Sequence, residues 1–389
     1  MDFALTPYHK RLVEAFREFG ERTFINERVI QWSRDQGLPD EIVKEFVDLY
    51  FDFESPLSDK PFDNSIFSQA LIIEELSRCA GATLPFQNDF FNLQIMGGFA
   101  DKQIFYDALN DYRQTGRLMF SLAISEPYAG SDSMAMQTCT QSENGTIFLN
   151  GKKTYVNNGE YSPYILVAAI DKDEERPMKY PPMSFWFIPG NLKGIRAIPI
   201  TKIGQPMLPF ASMNFEQVEL KPEYRLKSVD NENGFRHLFK LLEYGRVFTC
   251  ASSLGMAQAA MEDAVAYARE RVAFGTRISQ FQQIEEMLTE MEINICSMRS
   301  MLYRAIWDIE KGTEDRRLMV ALMKRYIPKT ATEVASNALQ ILGGSGYTDT
   351  ARVSRIWQDC RGNQIAEGTD QIMVYIAAPL IMDKYSKTI

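Results

Sequence analysis

Two runs in the last third of the chain step their apolar residues by three or four: Leu254, Ala257, Met261, Val265, Ala268 and Val272, then Ile284, Met287, Met291, Ile295, Met298 and Leu302. That spacing puts each set along one stripe of a helix, and a stripe so long must be buried against other helices. Two further runs follow, at about 318–342 and 371–382. Four long helices with short connections predict an antiparallel bundle over 227–389. Gly343-Gly344-Ser345-Gly346 sits where one of these helices should stop.

The texture upstream is different. From 119 to 226 short apolar runs alternate with turn residues, at 120–124, 146–149, 154–156, 164–170, 184–188, 195–200 and 212–220. This pattern predicts an all-β unit, a barrel or sandwich, with Asn150-Gly151 as a tight hairpin turn. The charged, proline-rich stretch 171–182 reads as an exposed excursion. Residues 1–118 read as mostly helical. Thr6 caps a helix that opens on Pro7 and carries Leu12, Phe16 and Phe19 at helical spacing. Helical windows follow at 40–49, 67–76 and 86–99, the last buried, with a loop over 51–65. The fold class is therefore α+β, mainly α: a helical domain (1–118), a β domain (119–226) and a four-helix bundle (227–389).

Composition narrows the chemistry. A formal net charge of −9 argues against nucleic acid or an anionic membrane as the main partner. No signal-peptide pattern opens the chain and no apolar stretch reaches membrane-spanning length. The five cysteines are scattered with no C-x-x-C pair, which fits a reduced cytoplasm. With only two histidines, His9 and His237, most zinc sites, Ser-His-Asp triads and Cys-His dyads fall away. Catalysis must run on carboxylates, amides or a borrowed cofactor.

Two segments stand out. Glu367-Gly368-Thr369-Asp370-Gln371-Ile372 sets a lone carboxylate on a glycine-softened turn before a threonine able to cap the next helix. Far upstream, Ser125-Glu126-Pro127-Tyr128-Ala129-Gly130-Ser131-Asp132 turns sharply after a short apolar run. Taken as residues alone, the first is a loop glutamate beside a helix N-terminus and the second an ordinary turn. No G-x-G-x-x-G joins a strand to a helix, so a Rossmann nicotinamide site is not expected.

Together these segments resemble the acyl-CoA dehydrogenase family, and the resemblance covers nearly the whole chain. The family pattern Glu-Gly-Thr-x-Gln-Ile is matched at every specified residue. This implies that Glu367 removes the α proton of a thioester while its backbone N–H polarises the carbonyl. A dry pocket would strengthen it as a base. The pattern Thr/Ser-Glu-Pro-Gly-Ala-Gly-Ser-Asp is matched with one departure, Tyr128 for Gly, expected to narrow the pocket mouth. That match implies that Leu122, Ile124 and Ser125 contact a flavin ring and that Ser131 approaches both flavin and substrate. Tyr155-Val156-Asn157-Asn158-Gly159 is similar to Trp/Phe-Ile-Thr-Asn-Gly, so Tyr155 takes the place of the aromatic that covers the flavin. Asn157 replaces the Thr that bonds its N5 edge.

Glu270-Arg271-Val272-Ala273-Phe274-Gly275, with Phe281-Gln282, resembles the segment that holds the FAD diphosphate and adenosine of a neighbouring subunit. Arg271, Phe274 and Gln282 inherit that role, and a guanidinium fork suits phosphate. The stretch 340–346 resembles Gln-x-x-Gly-Gly-x-Gly, in which Gln340, Gly343 and Gly344 meet the cofactor. Thr369 and Gln371 complete the cofactor set; Glu243, Tyr244, Arg246 and Gly368 join Ser131 along the substrate. Some members carry the base just before an Arg that opens a bundle helix. That Arg is similar to Arg246, and Gly245 before it cannot serve.

The resemblance implies an FAD-dependent oxidoreductase of acyl-CoA thioesters, working by α,β-dehydrogenation or as an enoyl-CoA reductase. It further implies exchange of electrons with an electron-transferring flavoprotein, and a homo-oligomer, a dimer of dimers, because Arg271 serves a partner's flavin. Ser162-Pro163-Tyr164-Ile165 and the stretch 297–303 are similar to crotonobetainyl-CoA reductases, a carnitine-related branch. The alternatives are a non-catalytic scaffold or electron-transfer member, which Tyr128 and Asn157 keep open, and an oxygen-using flavin oxidase.

Overall fold

Helix α1 (Pro7–Thr23) starts where Thr6 Oγ1 accepts the His9 N–H, and it buries Leu12, Phe16 and Phe19. Each such side chain taken out of water stabilises the fold by about 1.5–3 kcal/mol. The computed structural model describes residues 4–53, 64–99, 102–117, 120–173, 182–226 and 234–386. After α1 come α2 (Asn26–Asp35), α3 (Asp40–Asp52), α4 (Ile66–Ala80), α5 (Phe86–Phe99) and α6 (Lys102–Thr115). Helix α4 is capped by Ser65, which accepts from Ser68 N, and is stopped by Gly81 at φ 57°. It is buried on nearly every side because α1 packs on one face and α7 (Gly234–Glu270) on another. Gly255 of α7 lacks the side chain that would collide with the Glu74 carbonyl, and this lets the two helices meet closely.

The expected loop at 51–65 needs adjustment at its start, since Phe51 and Asp52 complete α3. Residues 54–63 of it, and 174–181 of the expected excursion, lie outside the described residues. The apolar pattern gives no hint of α2, whose only buried residue is Val29.

The strands are β1 (Ser121–Ala123), β2 (Cys139–Glu143), β3 (Thr146–Asn157), β4 (Tyr164–Asp171), β5 (Met183–Pro189), β6 (Ile195–Ile200) and β7 (Phe210–Leu220). They form one mixed sheet in the order β1-β4-β2-β3-β7-β6, and β5 pairs with the other edge of β4. Strand β4 runs parallel to β1 (Leu122 opposite Leu166) and to β2 (Cys139 opposite Ile170), and antiparallel to β5. A core of Leu149, Ile165, Val167, Trp186, Ile188 and Phe215 forms on one face.

The predicted hairpin at Asn150-Gly151 is overturned. Strand β3 runs straight through those residues, pairing with β7, and the turn lies six residues earlier at Asn144-Gly145 (φ 53° and 83°) between β2 and β3. Gly151 serves another purpose: at φ 149° it makes an irregularity in the β3–β7 register and leaves room for Thr138. Strand β2 is absent from the expected set, because its outer residues Gln141–Glu143 are polar and exposed.

The last third comprises α7 (Gly234–Glu270), a two-strand hairpin of β8 (Val272–Ala273) and β9 (Thr276–Arg277), then α8 (Gln282–Lys311), α9 (Arg316–Leu342), α10 (Arg352–Asn363) and α11 (Asp370–Ser386). Helix α9 is central and packs against α7, α8, α10 and α11. It ends at Gly343, φ 59°, as the glycine run predicts. Val272 leaves the expected α7 stripe and lies 56% exposed in β8. Helix α10 is not foreseen, because its Arg, Gln and Asp residues hide the short buried set Val353, Ile356 and Cys360. Among the described residues no helix is long and apolar enough to cross a membrane.

Candidate active site

Glu367 lies in the turn between α10 and α11, in a conformation that side chains rarely adopt: φ is 55° at Glu367 and 95° at Gly368. Thr369 caps α11 as expected, its Oγ1 accepting the Ile372 N–H at 3.3 Å. Two buried cations hold the turn by its carbonyls. Arg246 Nε of α7 donates to Glu367 O at 3.1 Å. Lys324 Nζ of α9 donates to Asn363 O at 2.8 Å and to Gly368 O at 3.3 Å.

The carboxylate itself is left open for chemistry. Its Oε2 is closed off from solvent and has no hydrogen-bond partner in the protein. Burial pushes the Glu367 carboxyl above the usual range, against the pull of Arg246 and Lys324. The same burial pulls both cations below their ordinary values. An isolated, desolvated carboxylate is a stronger base than one in water, which is what carbon deprotonation requires.

Glu367 stands on the wall of a cavity of about 1890 Å³. From the sheet side the same cavity is lined by Leu122, Ile124, Ser125, Ser131, Tyr155 and Asn157; from the bundle side by Glu243, Arg246, Gly368 and Thr369. Residues from segments far apart in sequence are thus brought to one space. Asn157 Oδ1 is buried without a partner. Glu243 pairs with Arg316 at 3.0 Å, and burial raises its carboxyl. The far stretch 84–99 contributes Asn88, Phe91 and Asn92, with Asn92 Nδ2 donating to Phe120 O at 2.8 Å.

The turn after β1 is built around a buried ion pair. Lys153 Nζ donates to Ile124 O and to Glu126 Oε1, both at 2.9 Å. Glu126 also accepts the N–H groups of Gln137 (2.7 Å) and Thr138 (2.9 Å). Burial drags Lys153 down to about 8 in spite of Glu126. Burial alone would raise Glu126, but Lys153 and the hydrogen bonds hold it low. The expectation for Tyr128 is corrected: it is 90% exposed, tipped outward by the Glu126–Ala129 bridge, and is not among the residues lining the cavity.

A second set of expected residues lies outside this cavity. Arg271, Phe274 and Gln282 are exposed around the β8–β9 hairpin, with Phe274 99% exposed at φ 52°. Gln340, Gly343 and Gly344 are exposed at the end of α9, and Gln371 is exposed on α11. Tyr244 also falls outside the lining, half-buried on α7.

Sequence reasoning missed Lys324 and the polar spine behind the turn. Asp359, fully buried, accepts from Thr83 N at 2.8 Å and from Gln205 N; Gln205 Nε2 donates to Asn363 Oδ1 at 2.7 Å, and Asn363 Nδ2 to Ser253 Oγ at 3.0 Å. A signal for Lys324 existed: it interrupts the otherwise apolar α9 stripe of Val320, Ala321, Ile327, Ala331 and Val334. Lys202, drawn down to about 8 by burial, was missed too; it lies on the cavity wall, 3.9 Å over the Phe210 ring.

Comparison with known proteins identifies the family to which this fold belongs. Residues 121–218 match the sequence profile described as acyl-CoA dehydrogenase, middle domain, and residues 232–381 that described as acyl-CoA dehydrogenase, C-terminal domain. The probable acyl-CoA dehydrogenase YdiO of Escherichia coli strain K12 is 33% identical over 389 residues, covering 99% of each chain. A crystal structure of an acyl-CoA dehydrogenase from Slackia heliotrinireducens is 49% identical with a TM-score of 0.87, covering 100% of this chain and 99% of that one. Butyryl-CoA dehydrogenase from Megasphaera elsdenii, 24% identical, shares the fold at a TM-score of 0.86 over 98% of this chain and all of its own.

Proposed function

The chain belongs to the acyl-CoA dehydrogenase family, and from that premise we propose that it is an FAD-dependent enzyme acting on the CH–CH bond beside a CoA thioester. One observation carries the reading: Oε2 of Glu367 is buried and unpaired, and the residue stands on the wall of a cavity it shares with the β1 and β3 residues.

The residues present fit a flavin. Leu122, Ile124 and Ser125 offer backbone and hydroxyl groups along the cavity, and the orphaned Asn157 Oδ1 is a polar atom that a ring bearing N–H groups can satisfy. Bound FAD supplies the acceptor for the hydride that leaves the β carbon. Glu367 takes the proton from the α carbon, and its own N–H polarises the thioester carbonyl, lowering the cost of the negative charge that develops there. Arg246 and Lys324 hold the turn that carries it. Run in reverse, a protonated Glu367 returns that proton to an enoyl-CoA.

The same reading divides the chain at 118/119 and 226/227. It makes the assembly a dimer of dimers in which the exposed Arg271, Phe274 and Gln282 meet a partner's FAD. It places the enzyme in the cytoplasm, with an electron-transferring flavoprotein as redox partner. Anaerobic titration of the FAD-loaded protein with a panel of acyl-CoA thioesters tests it. At least one thioester is expected to bleach the flavin absorbance. A protein that takes up no FAD, or that no thioester bleaches, overturns the reading.

A further inference from the structure

Lys324 stands at a position where the fold alone would place an apolar residue. Its neighbours along α9, Val320, Ala321, Ile327 and Pro328, are all buried, and Lys324 itself is 0% exposed. Lysine is almost never fully buried unless its charge is answered. The answer here comes from backbone carbonyls. The ammonium donates to the last carbonyl of α10, Asn363 O at 2.8 Å, where a helix end favours a cation, and to Gly368 O at 3.3 Å. These two acceptors bracket Glu367.

We propose that Lys324 is a positioning residue for Glu367: it clamps both sides of the strained turn and supplies positive potential toward the carboxylate. This rests on the reading of Glu367 as the base. Arg246 of α7 shares the task from the other side, through Glu367 O. The remaining groups that face Lys324 are the Cys250 thiol of α7 and Asp370 at the start of α11. Those facing Glu367 are Arg246 and Lys324. Two cations thus act on one buried carboxylate, and removal of either cation leaves the carboxylate harder to ionise.

The test compares Lys324→Met, Lys324→Gln and Lys324→Arg with Glu367→Gln. The readout is the infrared carboxylic-acid band that Glu367→Gln removes, titrated with pH, alongside flavin reduction by butyryl-CoA. In Lys324→Met the titration midpoint is expected to rise by at least about one pH unit and the acid limb of reduction to follow it. Lys324→Arg is expected to restore the parent midpoint. Should Lys324→Met fail to fold, Lys324→Gln carries the same expectation, since it keeps a donor and loses the charge. An unchanged midpoint in a folded neutral variant overturns the proposal. Glu367→Gln that still reduces its flavin sinks the base reading instead, while the midpoint measurement still decides the role of Lys324 on its own.

Discussion

A Cβ built on Gly245 would stand 2.6 Å from Oε2 of Glu367 and 2.8 Å from its Cδ. The side chain that α7 lacks at 245 is thus the space in which the carboxylate of the α10–α11 turn lies. The next residue, Arg246, reaches that turn's backbone at Glu367 O. Two segments distant in sequence share one small volume, and only one of them can fill it. Glycine at 245 and glutamate at 367 are therefore a single structural choice.

Gly245→Ala separates catalysis from stability. The added methyl forces the carboxylate, which no hydrogen bond anchors at Oε2, to swing away from its place. A misplacement of about 1 Å can cost on the order of 100-fold in rate, so turnover is expected to fall at least tenfold. Alanine in a helix interior is favoured over glycine by about 1 kcal/mol, so the melting temperature should hold or rise. Unchanged turnover would show that Glu367 does not work from this position.

Glu367→Gln is expected to keep FAD and ligand binding and to lose at least about 100-fold in turnover. Its stability has a predictable sign. A carboxyl whose folded pKa is raised stabilises the fold fully below its unfolded pKa, and that contribution is lost as pH rises through the folded one. The neutral amide escapes that loss. The variant should melt above the parent at about pH 8, and the difference should shrink as pH falls below the ordinary carboxylate range. Thermal melts at several pH values decide it; a gap independent of pH would mean that the Glu367 carboxyl is not strained by burial.

Much of this architecture is legible in the sequence because its signals are periodic. The stripes of α7, α8 and α9 are long enough that no other structure buries them. What stays hidden lacks period. Helices α2 and α10 are short and polar outside, and β2 is exposed for most of its length. Asn-Gly occurs at both 144–145 and 150–151, and only tertiary pairing decides which is the turn. Glu367 is recognisable from its flanking motif, whereas Lys324 shows in the sequence only as a charge interrupting the apolar α9 stripe, and its role follows only from the three-dimensional meeting of α9 with the turn.

Lys153→Met probes the turn after β1. The change leaves Glu126 buried with its ion pair removed and frees Ile124 O from its donor. Breaking a buried pair on one side destabilises by roughly 3–5 kcal/mol. Denaturant unfolding is expected to report a loss in that range. Adding Glu126→Gln should recover part of it, since the two residues act as a unit. A loss below about 1 kcal/mol would mean that water reaches the pair in solution.

Arg271→Ala tests the proposed shared cofactor site. The Arg271 side chain is exposed beside a hairpin whose tip residue, Phe274, is 99% exposed, so it contributes nothing to the core of its own chain. Folding should change by no more than about 0.5 kcal/mol. A charge-assisted bond to a phosphate contributes about 1.5–3 kcal/mol, so FAD affinity is expected to weaken at least tenfold. Flavin absorbance after exhaustive dialysis measures this, with sedimentation run in parallel to follow the assembly. On the proposal that the guanidinium serves a partner's cofactor, the parent protein should also lose flavin on dilution below its assembly constant, and the variant should do so without dissociating. Full occupancy in the dialysed variant would place the diphosphate against other residues.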